Sequence, residues 1–185
     1  MKIEITKVTS WTDVLNAARF TQRKAPLDKE PSTKFKKNII KAEHSPLRCL
    51  MFNIDMYDIP SYTAGHFVRH VHAQPFVSTS RPDTDGNQVP RDEQKKSDLV
   101  NCRLFLNAEE IINISRKRLC NKAELPTRQV WQTVIDELRK IEPELANACV
   151  PNCLSKSYCP EFKSCGFADS ELFVLKLHDF HNSLN

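Results

Sequence analysis

Glycine is scarce in this chain, and long hydrophobic runs are missing from it. Three glycines among 185 residues leave no Gly-rich loop of the kind that P-loop and dinucleotide-binding folds place against phosphate. No stretch approaches the ~18 apolar residues of a membrane-spanning helix, and the first six residues lack the apolar core of a signal peptide. We therefore expect a cytoplasmic protein that does not associate with a membrane.

Neither positive nor negative charge is concentrated in one segment of the chain. The 27 basic and 23 acidic residues, with a net charge of +4, are spread along the chain, which suits an anionic small-molecule ligand and not a nucleic acid polymer. Seven cysteines, an odd number, fit poorly with a fully paired disulfide framework. At 40% hydrophobic content, a chain of this length buries one sizeable core.

Hydrophobic periodicity predicts an alternation of strands and helices in the first half. A helix over residues 61–72, capped by Ser61, would bury Ala64, Phe67, Val68 and Val71 and present a polar face of His66, Arg69, His70 and His72. The other elements predicted here are a strand over 2–8, a helix after Ser10 or Thr12 through Phe20, a helix over 32–42 and a strand over 50–57.

The second half begins with residues 82–98, whose prolines, glycine and charges predict an exposed loop. A strand over 99–106 and helices over 108–120 and 127–141 should follow. From residue 149 the composition changes to cysteine and proline, and a short strand or helix is predicted over 172–177. We therefore divide the chain into a domain over 1–148 and a Cys-rich tail over 149–185 that packs on it.

Arg69-His70 and the hydroxyl-rich run Ser78-Thr79-Ser80-Arg81 form the most polar segment. An arginine beside a histidine offers a cationic fork next to a titratable donor, and hydroxyls next to an arginine suit a phosphate. The alternative is a solvated helix face followed by an ordinary turn, because surface charge usually has no special role.

Arg69-His70 followed by Arg81 resembles the signature of the flavin-dependent thymidylate synthases, an Arg-His-Arg triplet followed by a serine and, two residues later, an arginine. Val71 stands at the third triplet position here, and Thr79 stands at the serine position. Asn107-Ala108, Asn113 and Arg118 repeat the spacing of the family's later segment.

A weaker similarity joins residues 44–48, His-Ser-Pro-Leu-Arg, to the family's His-x-Thr-Pro-x-Glu segment. Arg48 stands at the position of the glutamate, and either His44 or Glu43 stands at the position of the histidine. The segment between the two main motifs is shorter than is usual in the family, and an arginine that helps to bind the nucleotide there has no counterpart.

The resemblance implies an α+β fold with a central, mainly antiparallel sheet flanked by helices. It implies transfer of a methylene carbon from methylenetetrahydrofolate to C5 of dUMP or a related pyrimidine nucleotide, with hydride supplied by FAD that NADPH reduces. Such sites form between the subunits of a homotetramer, so a homotetramer is implied as well.

The residue roles implied by the resemblance fall into three groups. Ser45, Arg69, His70, Asn107 and Asn113 would bind FAD. Thr79, Ser80 and Arg81 would bind the nucleotide. Arg118 would face the uracil carbonyls as the catalytic cation. From the residues alone, Asn107 is equally a helix N-cap and Arg118 a surface arginine near a helix end.

The Cys-rich tail carries Cys149, Cys153, Cys159 and Cys165. Four thiolates this close together could bind zinc, and an iron–sulfur cluster uses the same ligand type. Free buried cysteines that pack as small apolar residues are an equal alternative. Two further functions stay open beside the enzyme: a non-catalytic flavin- or nucleotide-binding homologue, and a small metal-binding interaction protein that shares only the fold.

Overall fold

A computed structural model describes residues 1–79, 81 and 89–184 of the chain. Its described residues form a four-stranded sheet in the order β1-β2-β4-β3, with β1 at Lys2–Lys7, β2 at Met51–Pro60, β3 at Gln74–Val77 and β4 at Leu99–Asn107. Every neighbouring pair of strands is antiparallel. The predicted α+β class and antiparallel sheet are confirmed.

Helices surround this sheet. They are α1 (Trp11–Thr21), α2 (Thr33–Lys41), α3 (Ser61–Phe67), α4 (Ala108–Arg118), α5 (Leu125–Ile141), α6 (Pro143–Ala148), α7 (Asn152–Lys156) and α8 (Glu171–Ser183), with 3₁₀ turns at Ser45–Cys49, Arg91–Glu93 and Phe167–Asp169. Within the described ranges, no helix combines the length and the apolar character needed to cross a bilayer.

The core lies between one face of the sheet and the helices. On that face Phe52 pairs with Leu106, Ile54 with Leu104, and all four side chains are completely buried. The opposite face is polar, and there Arg103 of β4 contacts Asp55 of β2 with both ends of its guanidinium group. Alternating burial of this kind is what a sheet covered on one side requires.

Two tryptophans anchor the helices to this core. The Trp11 indole donates a hydrogen bond from Nε1 to Oε2 of buried Glu142 at 2.7 Å, and Lys7 Nζ lies 2.6 Å from Oε1 of the same carboxylate. Trp131 of α5 donates to Ser115 Oγ of α4 at 2.9 Å. Glu142 therefore joins β1, α1 and the junction of α5 with α6.

The predicted helix over 61–72 was wrong in its second half. Helix α3 begins at Ser61, so Ser61 is its first residue and not its cap, and α3 ends at Phe67. Phe67 packs against Trp131, and two successive turns then lead to β3. Because the helix stops there, Val68 and Val71 are exposed, Val71 to 82%.

The remaining elements differ from expectation mainly at their ends. Ser10 caps α1 through a capping box, as one of the two predicted alternatives. Pro143 ends α5 but also begins α6, where a proline at the first helical turn costs no hydrogen bond. The element expected over 172–177 is a longer helix, α8. Most of the predicted 82–98 loop, residues 82–88, lies outside the described residues.

Several non-glycine residues adopt a left-handed backbone conformation. Arg23 follows α1 with φ 57°, and Glu43 follows α2 with φ 45°. In both places the amide two residues after the helix cap bonds back to a carbonyl in the last turn, Lys24 to Arg19 and His44 to Ile39. This is the helix-ending motif that usually places glycine at the left-handed position.

Candidate functional site

His70 lies between the two ends of α4. Its Nδ1 is 3.4 Å from Oε1 of Glu110, in the first turn of α4, and its Nε2 accepts a hydrogen bond from Nε of Arg118, at the last turn, at 3.1 Å. The Arg118 Nη2 also donates to the carbonyl oxygen of His66 at 2.7 Å. The histidine of the first motif and the arginine of the second are therefore in direct contact.

Three polar side chains follow one row of α4, because residues three apart are neighbours on a helix. Asn113 Nδ2 lies 3.4 Å from Glu110 Oε2, and Arg116 Nη1 lies 3.3 Å from Asn113 Oδ1. Arg116 also pairs with Glu43 at the end of α2. The result is a continuous polar chain from Glu43 to His70.

Arg118 is half-buried beside a second arginine. Burial lowers the pKa of its guanidinium group, and the nearby positive charge of Arg69 lowers that pKa further. Arg69 is exposed, and no described residue forms an ion pair or hydrogen bond with it. Two cations held near one another without a shared counter-charge from the described residues make an attractive place for an anion.

Asn107 lies at the beginning of α4. The Asn107 side chain caps the helix by accepting from the amide of Glu110 at 2.9 Å, so the N-cap interpretation is confirmed. Ser45 opens the 3₁₀ turn that packs against α4. In the same turn, Arg48 forms an exposed ion pair with Glu109 at 2.6 Å.

Thr79 and Arg81 lie at the other end of the sheet. Val77 of β3 pairs with Cys102 of β4, and Ser78 N donates to the carbonyl oxygen of Asn101, whereas Asn107 ends β4. Six residues of β-strand correspond to about 20 Å. Within one chain, Thr79 and Arg81 are therefore remote from Asn107; Ser80 lies outside the described residues.

No protein-family model matches the chain, and no curated protein matches it. Solved structures do. Two structures of the flavin-dependent thymidylate synthase ThyX from Helicobacter pylori, both with FAD and dUMP, superpose with a TM-score of 0.68 at 15% identity, over 81% of this chain and 100% and 99% of theirs. The chain has the flavin-dependent thymidylate synthase fold.

A third solved structure with this fold is the UMP/dUMP methylase PolB from Streptomyces cacaoi, bound to 5-Br dUMP. It superposes with a TM-score of 0.62 at 12% identity, over 80% of this chain and 94% of its own. The three structures are of enzymes, and all three hold a pyrimidine nucleotide. At these identities the likeness shows the flavin-dependent thymidylate synthase fold alone. The reaction has to be inferred from the residues of this chain.

The four cysteines of the tail line one cavity of about 490 Å³ but differ in exposure. Cys149 is buried, and its Sγ donates to the carbonyl oxygen of Leu145 at 3.4 Å, while Cys165 is exposed. Cys153 and Cys159 are half-buried, and Cys120 of the preceding domain lines the same cavity. Across the described ranges, no three His, Cys, Asp or Glu side chains are grouped so as to bind a metal ion.

Glu110 and Glu43 are the residues of this site that the sequence reasoning missed. Glu110 is 4% exposed although it lies in a polar stretch of the sequence. Its spacing carried a signal, because it falls three residues after the cap Asn107 and three before Asn113. Glu43 was considered only as a possible substitute for a histidine, and its contact with Arg116 depends on the end of α2, which the sequence does not place against α4.

Proposed function

We propose that this protein binds FAD and a pyrimidine deoxynucleotide and catalyses the reductive methylation of dUMP at C5, with methylenetetrahydrofolate as carbon donor and NADPH as reductant. The observation that carries the proposal is the contact between His70 and Arg118, with Arg69 beside them. It joins the two motifs in a fold that two solved ThyX structures share, both with FAD and dUMP.

The residues fit anionic and carbonyl-bearing ligands. Arg118 uses two of its five N–H donors, Nε and one on Nη2, on described residues, so three are left for a ligand. Arg69 adds a second fork, and forks of this type bind phosphate and paired carbonyl oxygens. A ligand carrying negative charge would remove the repulsion between the two cations.

The roles are those that the family resemblance implies. Arg69, His70, Asn107, Asn113 and Ser45 hold the flavin, and when bound in reduced form the flavin supplies a hydride. Arg118 stays fixed to His70 and His66 and presents its free donors to the uracil carbonyls, where negative charge develops. Thr79, Ser80 and Arg81 bind the nucleotide phosphate, with hydroxyls as ligands and not as nucleophiles.

The placement of Thr79 and Arg81 at the opposite end of the sheet from Asn107, about 20 Å along β4, supports the proposal that a site is completed by residues of another subunit. A homotetramer would bring the sheet end of one chain to α4 of another. Light scattering of the purified protein tests this, and a strictly monomeric protein that still turns over dUMP would exclude it.

Flavin binding and chemistry are tested separately. The purified protein should show flavin absorbance or acquire it with added FAD, and it should release tritium from dUMP labelled at C5 when the folate and NADPH are supplied. A colourless protein that binds neither FAD nor dUMP would overturn the proposal.

A non-catalytic homologue is the second candidate, and Val71 favours it. This residue stands where the family signature has an arginine, and its side chain is exposed with no cation to offer. This candidate predicts binding of FAD and dUMP without tritium release. Val71→Arg should then increase nucleotide affinity. Unchanged affinity in this variant would remove the reason for preferring the non-catalytic homologue.

A further inference from the structure

We propose that Glu110 is a positioning residue that fixes the tautomer of His70 and, through His70, the orientation of Arg118. Nothing in the motif resemblance assigns a role to Glu110. The tautomer follows from contacts within the chain alone. Its importance for turnover rests on the proposed function, in which Arg118 faces the substrate.

The contact with Arg118 shows which nitrogen of His70 carries the proton. The arginine side chain stays protonated in proteins and has no acceptor. Its Nε–H, 3.1 Å from His70 Nε2, must therefore donate, so Nε2 presents a lone pair. A neutral imidazole has a single N–H, which must then be on Nδ1.

The Nδ1 of His70 lies beside a carboxylate. Glu110 Oε1 lies 3.4 Å from Nδ1, with side-chain exposures of 13% for His70 and 5% for Glu110. This distance exceeds the roughly 2.7–2.9 Å of a charge-assisted hydrogen bond, so Glu110 acts on Nδ1 through its negative charge. The opposite tautomer would direct the lone pair of Nδ1 at the carboxylate and a proton at Arg118.

Stability alone does not explain a buried carboxylate at this position. An ionised carboxylate costs several kcal/mol to bury unless close partners compensate, and both side-chain partners of Glu110, His70 and Asn113, are 3.4 Å away. Its place in the first turn of α4 offsets part of that cost, because the helix N-terminus is the positive end of the helix dipole. A buried acceptor aimed at His70 gives Glu110 a role that an apolar side chain would not fill.

The accepting nitrogen of His70 faces a region with several cations. The positive charge of Arg69 already acts on Arg118, and Arg116, on the same helix as Arg118, is paired with Glu43 at the end of α2. An imidazolium at residue 70 would face the Arg118 Nε–H with a second N–H, and the contact would become repulsive. Glu110 thus keeps the Nε2 lone pair of His70 directed at Arg118. The remaining donors of Arg118 then stay on the side proposed for the substrate.

The nitrogen-15 spectrum of the His70 ring reports the tautomer directly and needs no turnover. We expect wild-type protein to carry the proton on Nδ1. Glu110→Gln keeps an amide oxygen as acceptor and should retain this tautomer, with tritium release reduced by about tenfold. Glu110→Leu removes the acceptor and should give mixed tautomers, with release reduced by about 100-fold as Arg118 shifts, while FAD stays bound.

Glu109→Gln is the matched control, because Glu109 is the neighbouring acid, pairs with Arg48 on the surface, and should change neither readout. If Glu110→Leu does not fold, Glu110→Asp withdraws the carboxylate and should also mix the tautomers. A wild-type proton on Nε2, or an unchanged tautomer in Glu110→Leu or Glu110→Asp, would overturn the proposal. An Nδ1 proton in a wild-type protein that releases no tritium would instead overturn the proposed function alone.

Discussion

The Arg118 Nε donates a hydrogen bond to His70 Nε2 across 3.1 Å, joining residues that are 48 positions apart in the sequence. His70 comes from the turn after α3, and Arg118 comes from the last turn of α4. The contact fixes the Arg118 side chain and leaves some of its N–H donors available. A group that must orient a substrate needs both properties.

Arg118→Lys should reduce tritium release from C5-labelled dUMP by about 100-fold while FAD stays bound. Lysine keeps the positive charge but is a point charge, without the planar fork that contacts His70, His66 and a ligand together. Lys117→Ala, next to it on the exposed face of α4, is the control and should leave release unchanged. Loss of flavin from Arg118→Lys would show that Arg118 belongs to the flavin site.

Arg69→Gln should weaken binding of dUMP or FAD by about tenfold, because one of two guanidinium forks for the anion is lost. The same change should leave the melting temperature unchanged or raise it, since it removes the positive charge that acts on Arg118. Calorimetric titration and thermal unfolding test the two effects. A variant that binds both ligands normally and melts lower would contradict the role given to Arg69.

Glu142→Ala should reduce the free energy of unfolding by about 2–4 kcal/mol. The variant leaves the buried indole N–H of Trp11 without its acceptor and removes the partner of Lys7. Urea denaturation measures the loss. Glu137→Ala is the control, because Glu137 belongs to a surface pair with Lys140 and should cost less than about 0.5 kcal/mol. Equal effects of the two substitutions would mean that the buried contacts contribute nothing.

Cys149 should make stability depend on alkaline pH. Burial raises the pKa of its thiol from 9.0 to about 12, so between these values the unfolded chain loses a proton that the folded chain keeps. The contribution of Cys149 is therefore complete below pH 9 and declines by about 1.4 kcal/mol per pH unit as pH rises towards 12.

Comparison with Cys149→Ala isolates this effect from other titrations. The difference in unfolding free energy between wild type and Cys149→Ala should shrink by about 2 kcal/mol between pH 8 and pH 10.5. The difference for exposed Cys165→Ala should stay constant. A constant difference for both variants would show that the Cys149 thiol is not protected by burial.

Sequence periodicity predicted β1, β2, β4 and most helices, because their apolar residues repeat at the spacing of each element, but it did not predict β3. Phe52 and Ile54 alternate in β2, and Ile111 and Ile114 recur on α4. The end of α3 was predicted incorrectly, because Val68 and Val71 continue the helical pattern. The tertiary contacts of Phe67 with Trp131 and of His70 with Arg118 stop the helix five residues earlier than predicted, and no local pattern encodes them.

The candidate site was predictable in its residue types and not in its arrangement. The predicted helix over 108–120 contained Asn113 and Arg118, and α4 carries both, with Asn107 as its N-cap. Residues 69–81 form one polar segment of the sequence, but β3 lies within that segment. Thr79 and Arg81 therefore lie at the far end of the sheet. Burial of Glu110 depends on how α4 faces α3, which local composition does not reveal.

The left-handed residues that follow α1 and α2 give an engineering consequence. Arg23 holds its conformation without the help of glycine, at a cost of about 1 kcal/mol, so Arg23→Gly should raise the melting temperature by about 2–4 °C. Glu43→Gly relieves the same backbone cost but loses the ion pair with Arg116, and it should gain less or nothing. In this glycine-poor chain, the melting temperature can therefore be raised at the end of α1. The equivalent position after α2 is needed for the ion pair of the candidate site.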